Sequence, residues 1–218
     1  MLYTSDPVQL FTLVSIFIIS IGLHEAAHAY AVNFFGDSTP ADQGRLTLNP
    51  FAHLDMMGSI MLVMVGFGWG KSVLYNPNNL HSKRLSRLTM EQIIAAAGPL
   101  ANLAQVIAFV GLLVVSTAIP ASLNWNIQGL QQTLIMGAML NALLMFLNLT
   151  PIPPLDGSKV LRAFLPYKLM QKYDGLEPYG FVLLMALFFL PGVSNVFQSY
   201  LHGASALLVS SLTRLFTF

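Results

Sequence analysis

Charge is what this sequence has least of. Asp, Glu, Lys and Arg make up 9% of its 218 residues, against about 25% in soluble domains. The formal net charge is +1. With no broad basic surface to neutralise phosphates, nucleic acid is not expected as a partner. There is no cysteine, which excludes thiolate metal ligands, disulfides and cysteine nucleophiles. The amino-terminal stretch MLYTSDP lacks both basic residues ahead of its apolar run and a small-residue cleavage site. It therefore reads as the start of a retained span, not as a cleaved signal peptide. What fills the chain instead is apolar: 55% of residues are hydrophobic, and they lie in runs. The expectation is an all-α polytopic membrane protein, with residues 1–218 forming a single transmembrane domain and no repeat array or low-complexity tail.

The runs predict about five to six transmembrane helices. A first helix covers 7–36, and further spans cover about 92–119, 130–149, 179–197 and 200–216. The run at 57–70 contains Gly58, Gly66, Gly68 and Gly70 and is shorter than the ~20 residues a simple span needs. It reads as a re-entrant or β-hairpin element, tolerated at membrane depth only if protein covers its backbone. Lys71, Lys83, Arg84 and Arg87 lie in one connection, and Lys159, Arg162, Lys168 and Lys172 in another, while 120–129 carries no charge. The positive-inside rule puts the first two in the cytoplasm and the third outside. The amino terminus then starts outside, and with five spans the carboxyl end, bearing Arg214, falls inside. The basic residues also suit contact with anionic lipid.

Within the first run stands HEAAH, His24 to His28. A helix puts positions i and i+4 on one face, so two imidazoles can reach one metal ion, with Glu25 beside them. Ionisable side chains are costly in hydrocarbon, and a bound metal compensates for three of them in five residues. Catalytic zinc sites keep three protein ligands and leave a place for water. The candidates for the third are His53, His81, His202, Asp55 and Asp156. Asp156 is the best placed. His24 lies ~24 Å along a helix entering at Val8, near the far side of a core ~30 Å thick. The span ending near Leu149 emerges on that same side. There Pro151, Pro153 and Pro154 cannot continue the helix and hold a stiff segment that aims Asp156 back at the histidines.

At these residues the chain resembles the site-2 proteases, which are intramembrane zinc metalloproteases. The resemblance covers nearly the whole chain. It rests on HEAAH at 24–28, GRLTLNPFAHLD at 44–55, AAAGPLAN at 95–102 and NLTPIPPLDG at 148–157. It implies that His24, His28 and Asp156 bind one zinc ion and that Glu25 is the catalytic base. The family's GxxxN motif falls on Gly98 and Asn102, and the asparagine ahead of the proline-rich segment on Asn148, implying that both asparagines line the substrate site. The substrates implied are transmembrane proteins, cut within a helix near the cytoplasmic side, in the cytoplasmic membrane of a prokaryote. Larger family members carry PDZ or cystathionine beta-synthase domains, for which this chain has no room.

The chemistry agrees. Two imidazoles and a carboxylate suit zinc, and a carboxylate at position 25 can take a proton from water and pass it to a leaving amine. Asn102 or Asn148 can donate to a developing oxyanion or to an extended substrate backbone, although interhelical hydrogen bonding is an equal use for either. His53 and Asp55 fit a capped turn before Met56 better than a gate beside the metal. Two rival functions remain. A transporter would spread charges over several spans, yet none lies between Gln92 and Leu155. A catalytically silent helix-binding homologue would have no need of Glu25.

Overall fold

The computed structural model describes residues 6–66, 68–120 and 126–217. It is helical, and the described residues contain no strand and one isolated β-bridge. The elements are α1 (Pro7–Phe34), α2 (Thr39–Asp42), α3 (Met56–Val65), α4 (Arg87–Ser116), α5 (Ile127–Asn148), α6 (Asp156–Arg162), α7 (Tyr167–Asp174), α8 (Gly180–Phe189) and α9 (Val193–Phe216). Short 3-10 turns stand at Pro50–His53 and Glu177–Tyr179.

The long helices start where the sequence supplies a cap. Asp6 accepts from Val8 N at 2.9 Å ahead of Pro7, Ser86 accepts from Thr89 N at 3.2 Å, and Asn126 accepts from Gly129 N at 3.0 Å. Each bond satisfies a backbone donor that the first turn leaves free. Helices α1, α4 and α5 are each long and apolar enough to cross a membrane. They pack through small residues, as helices do where lipid gives no hydrophobic drive to associate. A Cβ at Gly137 of α5 would come within 2.5 Å of the Phe109 ring of α4. Val106 and Val110 of α4, Ala138 and Ala142 of α5 and Val209 of α9 form one buried cluster. Leu13, Ile16 and Phe17 of α1, Leu62 of α3 and Leu140 of α5 form another.

Three sequence expectations change. The element at 57–70 is helix α3 followed by an extended return, not a β-hairpin. Gly66 ends the helix in the left-handed region (φ 73°) with its N–H on Leu62 O, and Leu54 bridges to Gly70. Entry and exit therefore lie at one level, as a re-entrant element requires. Among the described residues, fewer helices than the five to six expected spans are long and apolar enough to cross a membrane by themselves. Instead of separate spans at 179–197 and 200–216, α8 has 10 residues, ~15 Å of helix. It joins α9 across Pro191 and Gly192 (φ 85°), and the segment Tyr167–Phe189 passes with α9 as one span only if the 83° bend is included. That makes three candidate spans, or four with the bent pair.

Finally, α9 runs the opposite way to expectation. Its start packs on the end of α5, through Leu201 with Leu147 and Tyr200 with Phe146, whereas Val209 reaches Ala138 and Val110. Helix α9 is thus antiparallel to α5, and Thr217 lies at the level of Thr117. The carboxyl end belongs on the side of the α4–α5 connection, not with the basic connections. Hydropathy cannot reveal this, because a broken span and two short spans contain the same residues.

On the basic side, the chain after α1 is fastened by Asp37, which is fully buried. It accepts from Thr39 N (3.1 Å) and Oγ1 (2.7 Å), Asn76 N (2.6 Å) and Asn79 Nδ2 (3.0 Å). Burial pushes its carboxyl up, but the bonds from Thr39, Asn79 and Asn76 outweigh it and bring the pKa down to about 2.

Two outcomes are expected. Cysteines introduced at Thr117 and Thr217 should react together with an impermeant reagent applied to one face of the membrane, and one at Ser82 should react only from the other. Labelling of Thr217 from the same face as Ser82 would restore the five-span arrangement. For Asp37 the folded pKa lies below the unfolded value of ~3.9, so its stabilisation is complete above pH ~4 and fades as pH falls toward 2. Asp37→Ala should cost on the order of 2 kcal/mol in detergent unfolding at pH 7 and remove that acid slope.

A candidate metal centre between three helices

Helix α1 delivers His24, Glu25 and His28 to one buried face. Helix α4 crosses this face and sets both rings. His28 Nδ1 lies 2.7 Å from Ile94 O, and His24 Nδ1 lies 2.6 Å from Asn102 Oδ1. A carbonyl oxygen only accepts, so each Nδ1 carries a proton, and in the neutral ring that a metal requires the lone pair is on Nε2. Both Nε2 atoms point to one place. They stand 3.1 Å apart, and each is 3.2 Å from Asp156 Oδ2.

Asp156 reaches them because the chain reverses after α5. The PIPP segment ends the helix, and Gly157 folds against Leu149, whose carbonyl a Cβ would overlap. Gly180, at the start of α8, packs on Pro153 and Pro154, 2.9 Å from the position of a Cβ. With its aspartate at the first position, α6 begins facing α1.

These three ligand atoms form a near-equilateral triangle. A tetrahedral zinc with bonds of about 2.0–2.1 Å spaces its ligand atoms ~3.3 Å apart, close to the 3.1 to 3.2 Å found here. They are also the one His, Asp and Glu group among the described residues arranged to hold an ion. Gly98 makes the room: a Cβ on it would overlap His28 Nε2 and stand 2.5 Å from His24 Nε2. Any side chain on α4 at this point would press on the two Nε2 atoms.

Beside the triangle is a cavity of about 300 Å³ lined by His24, Glu25, His28, Asp156 and Asn148. The extended return after α3 forms one wall, where a Cβ at Gly70 would lie 3.1 Å from Glu25 Oε1. Toward the basic connections the wall includes Tyr75, with Lys159 Nζ 5.8 Å above its ring. Burial, and then the charge of Glu91, pushes the Tyr75 phenol up to about 12, so it stays a neutral donor at physiological pH. A smaller apolar cavity, about 100 Å³, adjoins through Gly68, Leu144 and Leu147 and includes His202.

The sequence-derived residues divide accordingly. His24, Glu25, His28 and Asp156 come together, and Asn148 faces the cavity with its Nδ2 on Leu144 O at 3.0 Å. Asn102 does not line the substrate space. It is 0% exposed, with its oxygen on His24 and its nitrogen on Asn141 Oδ1 at 3.0 Å, so it is committed within the protein and is not available to an oxyanion. Asp55 caps α3 through Gly58 N at 2.7 Å, and buried His53 donates from Nε2 to Thr47 O at 2.9 Å. Both are structural. His81 packs against Gly36, where a Cβ would overlap its ring.

Two contributions are not evident from the sequence. Arg45, buried, donates to Ala52 O at 2.6 Å and to Lys71 O. It thereby clamps the 3-10 turn at Pro50–His53 to the extended wall beside Glu25. Its partners are backbone carbonyls, so the available signal is only a lone arginine in the GRLTLNP stretch. Asn141, alone in the middle of an apolar span, is the other.

Comparison with known proteins agrees with this geometry. Residues 118–187, which include Asp156, match the model of peptidase family M50. The chain is 37% identical over 194 residues to the "Putative zinc metalloprotease YwhC" of Bacillus subtilis (strain 168), covering 88% of this chain and 86% of that protein. It is 25% identical over 225 residues to the "Putative zinc metalloprotease Rip2" of Mycolicibacterium smegmatis, covering 95% of this chain and 83% of the relative. The protein of the same name in Mycobacterium tuberculosis (strain H37Rv) is 27% identical over 189 residues, covering 83% of this chain and 67% of the relative. No solved structure matches the chain significantly. The length and level of the first of these matches, on a chain that brings HEAAH and LDG to one point, place this protein in peptidase family M50, the site-2 protease family.

Proposed function

We propose that this protein is an intramembrane zinc metalloendopeptidase that hydrolyses peptide bonds in transmembrane helices of membrane-protein substrates, near the cytoplasmic face of a prokaryotic cytoplasmic membrane. One observation carries the reading: two Nε2 atoms and one carboxylate oxygen converge to within 3.2 Å, with Glu25 beside them, at a cavity inside an apolar bundle. His24, His28 and Asp156 would hold the zinc, and the mixed nitrogen and oxygen set suits that ion.

When bound, zinc acidifies water and polarises a peptide carbonyl. Glu25 takes the proton from the attacking water and returns it to the leaving amine. Asn148 and the extended wall at 68–73 offer polar groups to a substrate that must be unwound before its carbonyl can reach the site. Arg45 keeps that wall in register. The bacterial origin of the relatives supports the prokaryotic location, and the position of His24 and His28 toward the second end of α1 supports the cytoplasmic depth.

Metal analysis of protein purified in detergent should find about one zinc per chain. Single alanine variants at His24, His28 and Asp156 should lose it. So should Gly98→Ala, which keeps every ligand residue but drives a methyl group against both Nε2 atoms. Full zinc retention in Asp156→Ala would remove that residue from the site.

Glu25→Gln should retain zinc and the fold but lower cleavage of a tagged transmembrane helix by at least ~100-fold, because an amide cannot take the proton. Helices with Gly, Asn or Pro near the cytoplasmic end should be cut faster, since they open more readily to an extended strand. Undiminished cleavage by the variant would show that another group activates the water. Cleavage centred on the outer half of the substrate helices would refute the depth assignment.

A further inference from the structure

We propose that Asn141 of α5 is a positioning residue for the metal centre, acting through Asn102 to fix which nitrogen of His24 carries the proton. The inference rests on the assignment of His24 as a metal ligand.

A single file of hydrogen bonds crosses the bundle. His24 Nδ1 meets Asn102 Oδ1 at 2.6 Å, Asn102 Nδ2 donates to Asn141 Oδ1 at 3.0 Å, and Asn141 Nδ2 donates to Ser20 Oγ and to Gly137 O, both at 2.9 Å. The file runs from α1 through α4 to α5 and back to α1. All four side chains are 3% exposed or less, so water does not compete for these groups.

The direction of the file is determined at its far end. Gly137 O is a backbone carbonyl and only accepts. The Asn141 group facing it must be the amide nitrogen, which turns Oδ1 toward Asn102. Only the nitrogen of Asn102 satisfies that oxygen, which turns Asn102 Oδ1 toward His24. His24 must then hold a proton on Nδ1, and the neutral ring turns the lone pair of Nε2 toward Asp156 and His28. Reversing any amide reverses the outcome. Asn102 would offer its NH2 group to Nδ1, the proton would sit on Nε2, and the ring would present a hydrogen where a metal needs a lone pair.

His28 obtains the same tautomer directly from Ile94 O, an obligate acceptor. His24 has no carbonyl at this position and depends on a side-chain amide, which can turn over. Asn141 is what prevents it.

The competing role is interhelical glue, the ordinary use of an asparagine between membrane helices. The two roles separate when zinc affinity and stability are measured on the same samples. In Asn141→Leu, Asn102 loses the group that orients it, and zinc affinity, measured by competition with a chromophoric chelator, should fall 10- to 100-fold, the usual cost of losing an outer-shell partner. Asn141→Asp should restore affinity to within about threefold. Burial keeps the acid neutral, and it then donates and accepts in the same places. Ser20→Ala should also stay within about threefold, because Gly137 O alone still orients Asn141. If the leucine variant fails to fold, Asn141→Thr serves instead: its hydroxyl can bond Gly137 O within the helix but cannot reach Asn102, and the same loss is expected.

The ring 15N spectrum of metal-free protein, recorded at a pH high enough for the ring to be neutral and assigned against His24→Ala, tests the file independently of zinc. It should show the Nδ1-protonated form of His24 in wild type and Asn141→Asp, and lose it in Asn141→Leu or Asn141→Thr. Zinc affinity unchanged in a folded leucine or threonine variant would overturn the proposal, as would an unchanged tautomer or a Ser20→Ala loss as large as that of Asn141→Leu. Wild-type protein that binds no zinc would sink the ligand assignment instead, and the tautomer measurement would still decide the role of Asn141.

Discussion

Three ionisable side chains brought within 3.2 Å of one another inside an apolar bundle define the constraint under which the surrounding structure is organised. Unpaired, such groups are costly in hydrocarbon. Paired through a metal, they need their lone pairs aimed at one point and nothing else occupying it. Each neighbouring element supplies a share of that condition. Helix α4 brings a carbonyl, an amide oxygen and a glycine to the two rings, at Ile94, Asn102 and Gly98. The reversal after α5 brings the carboxylate, and the return after α3 closes the side where Glu25 stands.

Close approach, more than apolar burial, is therefore what α4 contributes. Gly98 and Asn102 are one helical turn apart, the glycine leaving space for both rings and the asparagine contacting His24. The motif that joins them has a single physical meaning here: a helix face that can touch two imidazoles without displacing what they bind. Gly137 of α5 has a comparable role in the neighbouring layer, where it lets Phe109 of α4 sit against the α5 backbone.

Much of this is legible in the sequence. HEAAH sits at helical spacing, and prolines must end α5 at the depth that the histidines reach, so His24, His28 and Asp156 can be brought together from spacing and rise alone. Spans 92–119 and 130–149 fall on α4 (Arg87–Ser116) and α5 (Ile127–Asn148). Direction is not legible. A polar residue in an apolar run advertises a partner but not where the partner lies, so the sequence leaves Asn102 equally suited to substrate and to a neighbouring helix, and the structure puts it on His24. The sense of α9 is equally hidden, because Pro191 and Gly192 can separate two spans or bend one. Arg45 escapes notice because its partners are backbone carbonyls at Ala52 and Lys71, which leave no trace in side-chain composition.

The sequence distance between the ligands has a consequence for the order in which the molecule is made. His28 and Asp156 are 128 positions apart, and α4, which tunes both rings, lies between them. Chains emerge from the amino end at about 5–20 residues per second. The histidine pair thus enters the membrane several seconds before the turn that carries Asp156 exists. During that interval the nascent chain has the two imidazoles and no carboxylate to complete the group. A site that needs all three groups is therefore complete only after α5 has been made and the chain has turned back into α6.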